Sequence, residues 1–408
     1  MRPLCTATFI ALFVGAVWSH AQAPAADNVI RAMGDELQRS VAELQFKDLE
    51  KPYFIQYVIL DREQYRAEAT FGALTASNKD RVRMLQAQVR VGDYYFDNSE
   101  FVTGQGFQGG NQSGVLSTTV IDDDYDAVRH SLWLTTDAAY KQSVEQLARK
   151  RAFVQNKIRE EQIPDFSKES SVTALGTRRR LEFDKTLWEK QIREWSAIFK
   201  EFSGIQESTV TIRALAVNKY LVNSEGTRTL QPSTMVTLQI EARTEAADGM
   251  RLNHAIPFNA ASFEQLPSKE TVDDAIRRLA ADLTALRSAP LFNRDYSGPV
   301  LLTGQASAEM FARVLAPNLS GQRFPLTDRE QSQTNFSELT ERMNRPVLPA
   351  FISVFDDPTE RQIGAQELMG QAKGAGDPIS APLASAQARL ILQWTAVRCW
   401  ISKIPVAG

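Results

Sequence analysis

The chain has 408 residues, of which 43% are hydrophobic and 23% charged, with a formal net charge of −3. That is ordinary globular composition, long enough for two or three compact domains, and it excludes a disordered chain. No run of Lys or Arg is long enough to track a phosphate backbone, so nucleic-acid binding is excluded on electrostatic grounds.

At the start of the chain, Arg2 precedes an apolar stretch from Leu4 to Trp18. Ser19-His20-Ala21 and Ala21-Gln22-Ala23 then each place small residues where a signal peptidase reads. These features predict a signal peptide over residues 1–23, a mature N-terminus between Gln22 and Pro24, and a periplasmic or secreted product. An uncleaved anchor is the other reading of the same stretch. At about 15 residues it is short of the roughly 20 a membrane helix needs, and no later segment qualifies, so no membrane span is expected after cleavage. Cys5 departs with the leader and leaves Cys399 alone, so stability has to come from core burial rather than from an internal disulfide.

The first mature element is a helix, with Val29, Met33, Leu37, Val41 and Leu44 on one stripe. After Pro52, a strand is expected from Tyr53 to Leu60, a turn at Asp61-Arg62-Glu63, a second strand from Tyr65 to Leu74 and a third from Arg81 to Val91, together an antiparallel meander. Gly104 to Gly114 reads as a surface loop, and Asp122-Asp123-Asp124-Tyr125-Asp126 as a solvated acidic loop rather than a calcium site, since it lacks the alternate ligand spacing of an EF-hand. A helix is expected over Ser131 to Lys157. Trp188, Ile192, Trp195, Phe199 and Phe202 form an aromatic stripe that suits the buried face of a helix on a sheet better than a ligand platform.

Gly204 closes that helix, and strands follow at Ser208 to Ala216 and Lys219 to Ser224, with a turn at Glu225-Gly226. Val236, Leu238, Ile240 and Ala242 alternate with polar residues as in a half-buried strand, and Val272, Ile276, Leu279, Leu283 and Leu286 mark a further amphipathic helix. Asp273-Asp274 reads as that helix's first turn and Asp356-Asp357-Pro358 as a turn. The fold class expected is α+β, mainly antiparallel sheet with packed amphipathic helices. No nucleophile elbow, P-loop or dinucleotide fingerprint occurs.

Four strings, in order, carry a family resemblance. They are Val91-Gly92-Asp93-Tyr94-Tyr95-Phe96-Asp97-Asn98, Leu132-Trp133-Leu134-Thr135-Thr136-Asp137, Tyr220-Leu221-Val222-Asn223-Ser224-Glu225-Gly226-Thr227 and Tyr296-Ser297-Gly298-Pro299-Val300-Leu301-Leu302. From roughly Leu44 to Pro358 the chain resembles exported bacterial proteins of the TldD/PmbA family, also known as modulators of gyrase and peptidase U62. The resemblance implies a signal peptide over 1–23, an N-terminal α+β domain over 24–130, a central α+β domain over 131–295 and a partial C-terminal domain over 296–408.

In active members of that family, a strand like Gly298 to Leu302 leads into a helix bearing His-Glu-x-x-x-His, and a later Cys completes a zinc site. Imidazoles suit zinc, and the carboxylate takes a proton from the metal-bound water. Here the matching stretch is Thr303-Gly304-Gln305-Ala306-Ser307-Ala308, and Glu309 cannot hold zinc alone. His130 and His254 are far apart, and neither has a second His or a Cys at ligand spacing. No catalytic, cofactor-binding or metal residue is therefore assigned.

The chain looks more like the PmbA (TldE)-type subunits that lack the zinc motif. Phe311, Val314 and Leu315 lie in an amphipathic segment, Leu319-Ser320-Gly321 follows, and Val347 to Ile352 resembles the next strand. The resemblance implies a non-catalytic subunit that pairs with an active TldD-like peptidase or with itself, and that helps enclose peptide substrates. The alternative is a zinc peptidase whose ligands come from a partner chain or from positions not recognised. Beyond Pro358 the sequence departs from the family. Ala365 to Leu390 turns rich in Ala, Gly and Gln, a pattern expected of compensated frameshifts with early termination or of a divergent natural C-terminus.

Overall fold

The computed structural model describes residues 27–46, 48–102, 114–155, 164–291, 295–303 and 305–315, with short stretches at 318, 326–327, 345–346, 362–363 and 366–367. The leader, residues 104–113 of the expected loop, Gly304, the Val347–Ile352 strand, the Asp356 turn and Cys399 lie outside the described residues, as does nearly all of the chain after Pro358.

Helix α1 (Asn28–Glu43) starts at Asp27, whose carboxylate accepts the Val29 N–H at 2.9 Å, a standard N-cap. Strands β1 (Pro52–Thr70) and β2 (Ala73–Val91) follow. The expected three-strand meander is instead this one hairpin, 19 residues on each arm. Asp61-Arg62-Glu63 stays extended because Asp61 is buried on the helix-covered face. Arg81 Nε reaches its Oδ1 at 2.7 Å and Arg83 Nη2 its Oδ2 at 2.8 Å. The chain turns instead at Phe71-Gly72, where φ is +46° and +83°.

The two-residue β3 (Phe101–Val102) and the edge strand β4 (Val115–Thr118) lead to α2 (Tyr125–Val154), capped by Asp124. This helix begins earlier than Ser131, and the expected domain division at 130/131 falls inside it. Next come β5 (Thr173–Leu175), α3 (Lys185–Ile198), β6 (Glu207–Asn223), β7 (Arg228–Glu245), β8 (Arg251–Ala260), α4 (Lys269–Leu286), α5 (Gln305–Val314) and β9 (Leu326–Thr327), which pairs in parallel with β3. The two strands expected over 208–224 are the single β6. At the expected break lies Asn218, whose side chain accepts the Arg179 N–H and donates to the Arg179 carbonyl, each at 2.8 Å. Asp273-Asp274 sit one turn inside α4.

Seven strands form one sheet in the order β4-β2-β1-β6-β7-β5, with β8 added on β7, and every pairing is antiparallel except β5 against β7. The β1–β6 pairing carries the sheet across the expected division. The fold class is α+β.

Side chains of a strand alternate between faces, so one face of β1 carries Ile55, Tyr57, Ile59, Asp61, Glu63, Tyr65, Ala67 and Ala69. A strand of 19 residues is about 60 Å long, enough for two separate cores on one face. At one end Ile55, Tyr57 and Ile59 pack with Met33 of α1 and Leu132 and Tyr140 of α2. At the other, Tyr65, Ala67 and Ala69 pack with Ile192, Trp195 and Phe199 and with Ile276 and Leu279 of α4, so the aromatic stripe is core as expected. Between the cores lies a polar belt centred on Asp61, Glu63, Arg83 and Asn218.

Candidate functional site

The segment matched to the zinc motif starts with Thr303, exposed just ahead of α5, and continues into the helix, where Ser307 and Ala308 are buried. Along the same helix, against the described residues, Ala306, Met310 and Val314 are exposed and Phe311 is half-buried. His130 lies near the start of α2 with its ring 5.8 Å from that of Trp133, and His254 lies on β8 opposite Ala242. Among the described residues no three His, Cys, Asp or Glu side chains come close enough to share a metal ion.

The structure does bring two of the family-like strings together. In the β6–β7 turn, Asn223 Oδ1 accepts the N–H groups of Glu225 and Thr227 at 3.1 and 3.0 Å, and Gly226 takes φ +95°. Ser224 Oγ accepts the Ile55 N–H, and the Tyr94 hydroxyl donates to Glu225 at 2.6 Å. Thus Asn-Ser-x-Gly ties the hairpin to β1 and to the Val91–Asn98 string. That string is itself closed by Asp93, which accepts from Tyr95 and Phe96, and by Asn98, which accepts from Val91. Burial, with Glu225 second, pushes the Tyr94 hydroxyl up to about 12.

Beside this junction sits a buried ionic cluster. Arg90 donates to Asp97 and Ser99, each at 2.7 Å, and stacks 3.9 Å over the Phe166 ring. The Lys150 ammonium, fully buried, donates to the carbonyls of Asp97 and Ser99 and to Asp165. Burial disfavours the Asp97 carboxylate, but Arg90, Ser99 and Tyr53 outweigh that and lower its pKa; burial and Asp97 together raise that of Tyr53. Lys150 spends all three ammonium protons on acceptors, and Asp97 is already held by Arg90, Ser99 and Tyr53, so the cluster pins the α2 end to the sheet rather than presenting a base or nucleophile. Local sequence pattern gave no sign of it, because Arg90 reads as an outward strand residue and Lys150 as helix surface.

In the acidic loop before α2, Asp122, Asp124 and Asp126 are exposed as expected, while Asp123 is tied into the fold. Asp123 bonds Arg83 at 2.8 Å and Arg178 at 2.5 Å, and Asp122 offers its carbonyl to Arg83. Arg178 also holds Asp27, the cap of α1, at 2.8 Å. Burial opposes ionisation of Asp123, but the Arg178 and Arg83 hydrogen bonds prevail and bring its carboxyl down to about 2.

No family model matches the sequence, and no curated protein matches it. Solved structures that resemble the fold include a protein described as a modulator of a DNA gyrase from Thermotoga maritima, at 11% identity and TM-score 0.37, covering 62% of this chain and 48% of that one. TldE from Thermococcus kodakarensis matches at 10% identity and TM-score 0.34 over 62% and 47% of the two chains. A protein described as a modulator of DNA gyrase from Bacteroides thetaiotaomicron matches at 10% and 0.36 over 62% and 48%. The chain spans about half the length of these structures. Likenesses this loose carry no argument about chemistry. Among the described residues no helix is long and apolar enough to cross a membrane.

Proposed function

We propose that this chain is a non-catalytic subunit of TldD/PmbA type, exported to the cell envelope. It assembles with an active TldD-like zinc peptidase or with copies of itself, and takes peptides as its substrate class. One observation carries the reading: Thr303 and Ala308 stand where the resemblance places the two zinc-binding histidines, and neither side chain has a nitrogen or a carboxylate to give a metal. Of the two, Thr303 lies just ahead of the helix Gln305–Val314 and Ala308 lies within it. The order of the four strings supports the family assignment, and Arg2, the apolar stretch and the small residues before Pro24 support export.

Metal analysis of the purified chain, with unfolded casein as probe substrate, tests the reading. The expected result is no stoichiometric zinc and no cleavage by the chain alone. Near-equimolar zinc together with chelator-sensitive cleavage would show that ligands outside 303–308 build an active site, and would overturn it.

A further inference from the structure

Among the described residues, the face of the sheet opposite the helices carries a groove of about 190 Å³ at the end distant from β4. Its shape follows from side-chain length. Along the central strand β6, Thr209 and Thr211 make a low floor, while Arg66 and Glu68 of β1 and Glu241 and Arg243 of β7 rise on either side. Arg213 closes one end, directly across from Arg66 in the β1–β6 register.

The charges in this groove do not pair off evenly. Arg66 binds Glu68 at 2.7 Å, and Arg243 serves two carboxylates, Glu241 at 2.8 Å and Glu207 at 3.5 Å. Among the described residues no ion pair or hydrogen bond involves the side chain of Arg213, Thr209 or Thr211. One end of the groove is therefore left with an excess positive charge and the other with an excess negative one. Moreover, Arg66 and Arg213 are like charges facing each other across neighbouring strands, an arrangement that costs stability unless an anion lies between them. Arg213 is a fork of donors suited to a carboxylate.

The size sets the kind of ligand. Pockets for drug-sized molecules run to about 300–1,000 Å³, so this groove holds a thin chain rather than a bulky group. From Arg213 to the rung of Thr209 and Glu241 is four residues of strand, about 13 Å, which an extended peptide of about four residues spans.

We propose that this groove binds a short extended peptide with free ends, its terminal carboxylate on Arg213 and its ammonium toward Glu207 and Glu241. The inference deepens the peptide substrate class proposed above. It is read by direct binding with no partner and no cleavage, so it can fail while that reading stands, and the reverse.

Tetra-alanine is the probe, titrated calorimetrically into the purified full chain. The free peptide is expected to bind saturably. Amidating its carboxyl end, or Arg213→Gln in the protein, should weaken binding at least tenfold, with Arg213→Lys falling between. Acetylating the amino end should weaken it by a smaller factor. An unchanged melting temperature in Arg213→Gln shows that the loss is not one of folding. Equal binding of free and amidated peptide, full affinity in Arg213→Gln, or no binding of the free peptide at millimolar concentration each overturns the proposal. So does inorganic phosphate displacing the peptide at equal concentration, which would make Arg213 a general anion site.

Discussion

The belt on the helix-covered face and the groove on the open face are built from the same residue types, arginine against Asp or Glu, yet their charges are balanced in opposite ways. In the belt, Arg83 is fully buried and its two terminal nitrogens reach four acceptors: Asp61, Asp123 and the carbonyls of Val120 and Asp122. Arg81 and Arg178 are also each held by carboxylates. In the groove, Arg213 is exposed and stands alone among the described residues. The difference follows from solvent. A buried ion without a partner costs several kcal/mol, so the belt tolerates no unmatched charge, whereas water screens an exposed guanidinium and leaves it free for a ligand. A matched charge at this depth is architecture, and an unmatched one in a concave surface is a candidate for recognition.

The comparison breaks most visibly at Asp61. Asp61→Ala leaves Arg81 and the buried Arg83 without their shared carboxylate, between the two cores and against both. Removing one partner of a buried ion pair costs about 3–5 kcal/mol, a large share of the about 5–15 kcal/mol that holds a domain together. Urea denaturation should show the midpoint falling accordingly, and Asp61→Asn, which keeps the shape and loses the charge, should fall nearly as far. A midpoint within error of wild type for both variants would mean that the belt is not what joins the two ends.

Asp61 also shows where the sequence could be read and where it could not. The helices α1, α3 and α4 and both cores were legible, because stripes such as Trp188 to Phe202 state a buried face within a few residues of each other. Asp61-Arg62-Glu63 has turn composition, and only partners on β2, some 20 residues away, make it strand. The true turn falls on Phe71, a residue type that seldom takes positive φ. Asn218 hides in the same way: its partner is the Arg179 backbone, and nothing in its own neighbourhood announces it. The acidic loop is largely exposed as read, but nothing local hints that Arg83 and Arg178 converge on its Asp123. The groove has no local signature either, since it is made by register, with Arg66 set opposite Arg213 by a pairing across about 150 residues. The residue types at Thr303 and Ala308 are plain in the sequence, but matching them to a zinc motif rests on the resemblance and belongs to the proposal.

A smaller effect is expected on acidification, and it separates belt from groove by pH. The Asp123 carboxyl lies at about 2 in the fold, below the roughly 4 of an unfolded aspartate. Its contribution is therefore fully present above about pH 4 and is lost as pH falls from there toward 2, where the folded state too takes up the proton. Stability measured against pH for wild type and Asp123→Asn should give curves that are separated above pH 4 and converge below it. Asp123 is only partly buried, its side chain 36% exposed, so water screens the pair and the separation should be modest. Parallel curves throughout the acid range would show that Arg83 and Arg178 do not hold this carboxylate in solution.

The smallest effect is expected at Arg213, and its smallness is what gives it meaning. Arg213→Gln removes an exposed charge with no partner among the described residues and relieves its repulsion from Arg66, so stability should move by no more than about 0.5 kcal/mol, and upward if at all. The matched control is Arg66→Gln, which removes the same repulsion but also the pair with Glu68, and should gain less. Thermal melts of the two variants without peptide decide the point. A melt of Arg213→Gln several degrees below wild type would place Arg213 with the belt, as a residue the fold depends on, and would remove the physical reason for regarding its free guanidinium as held in reserve for a carboxylate.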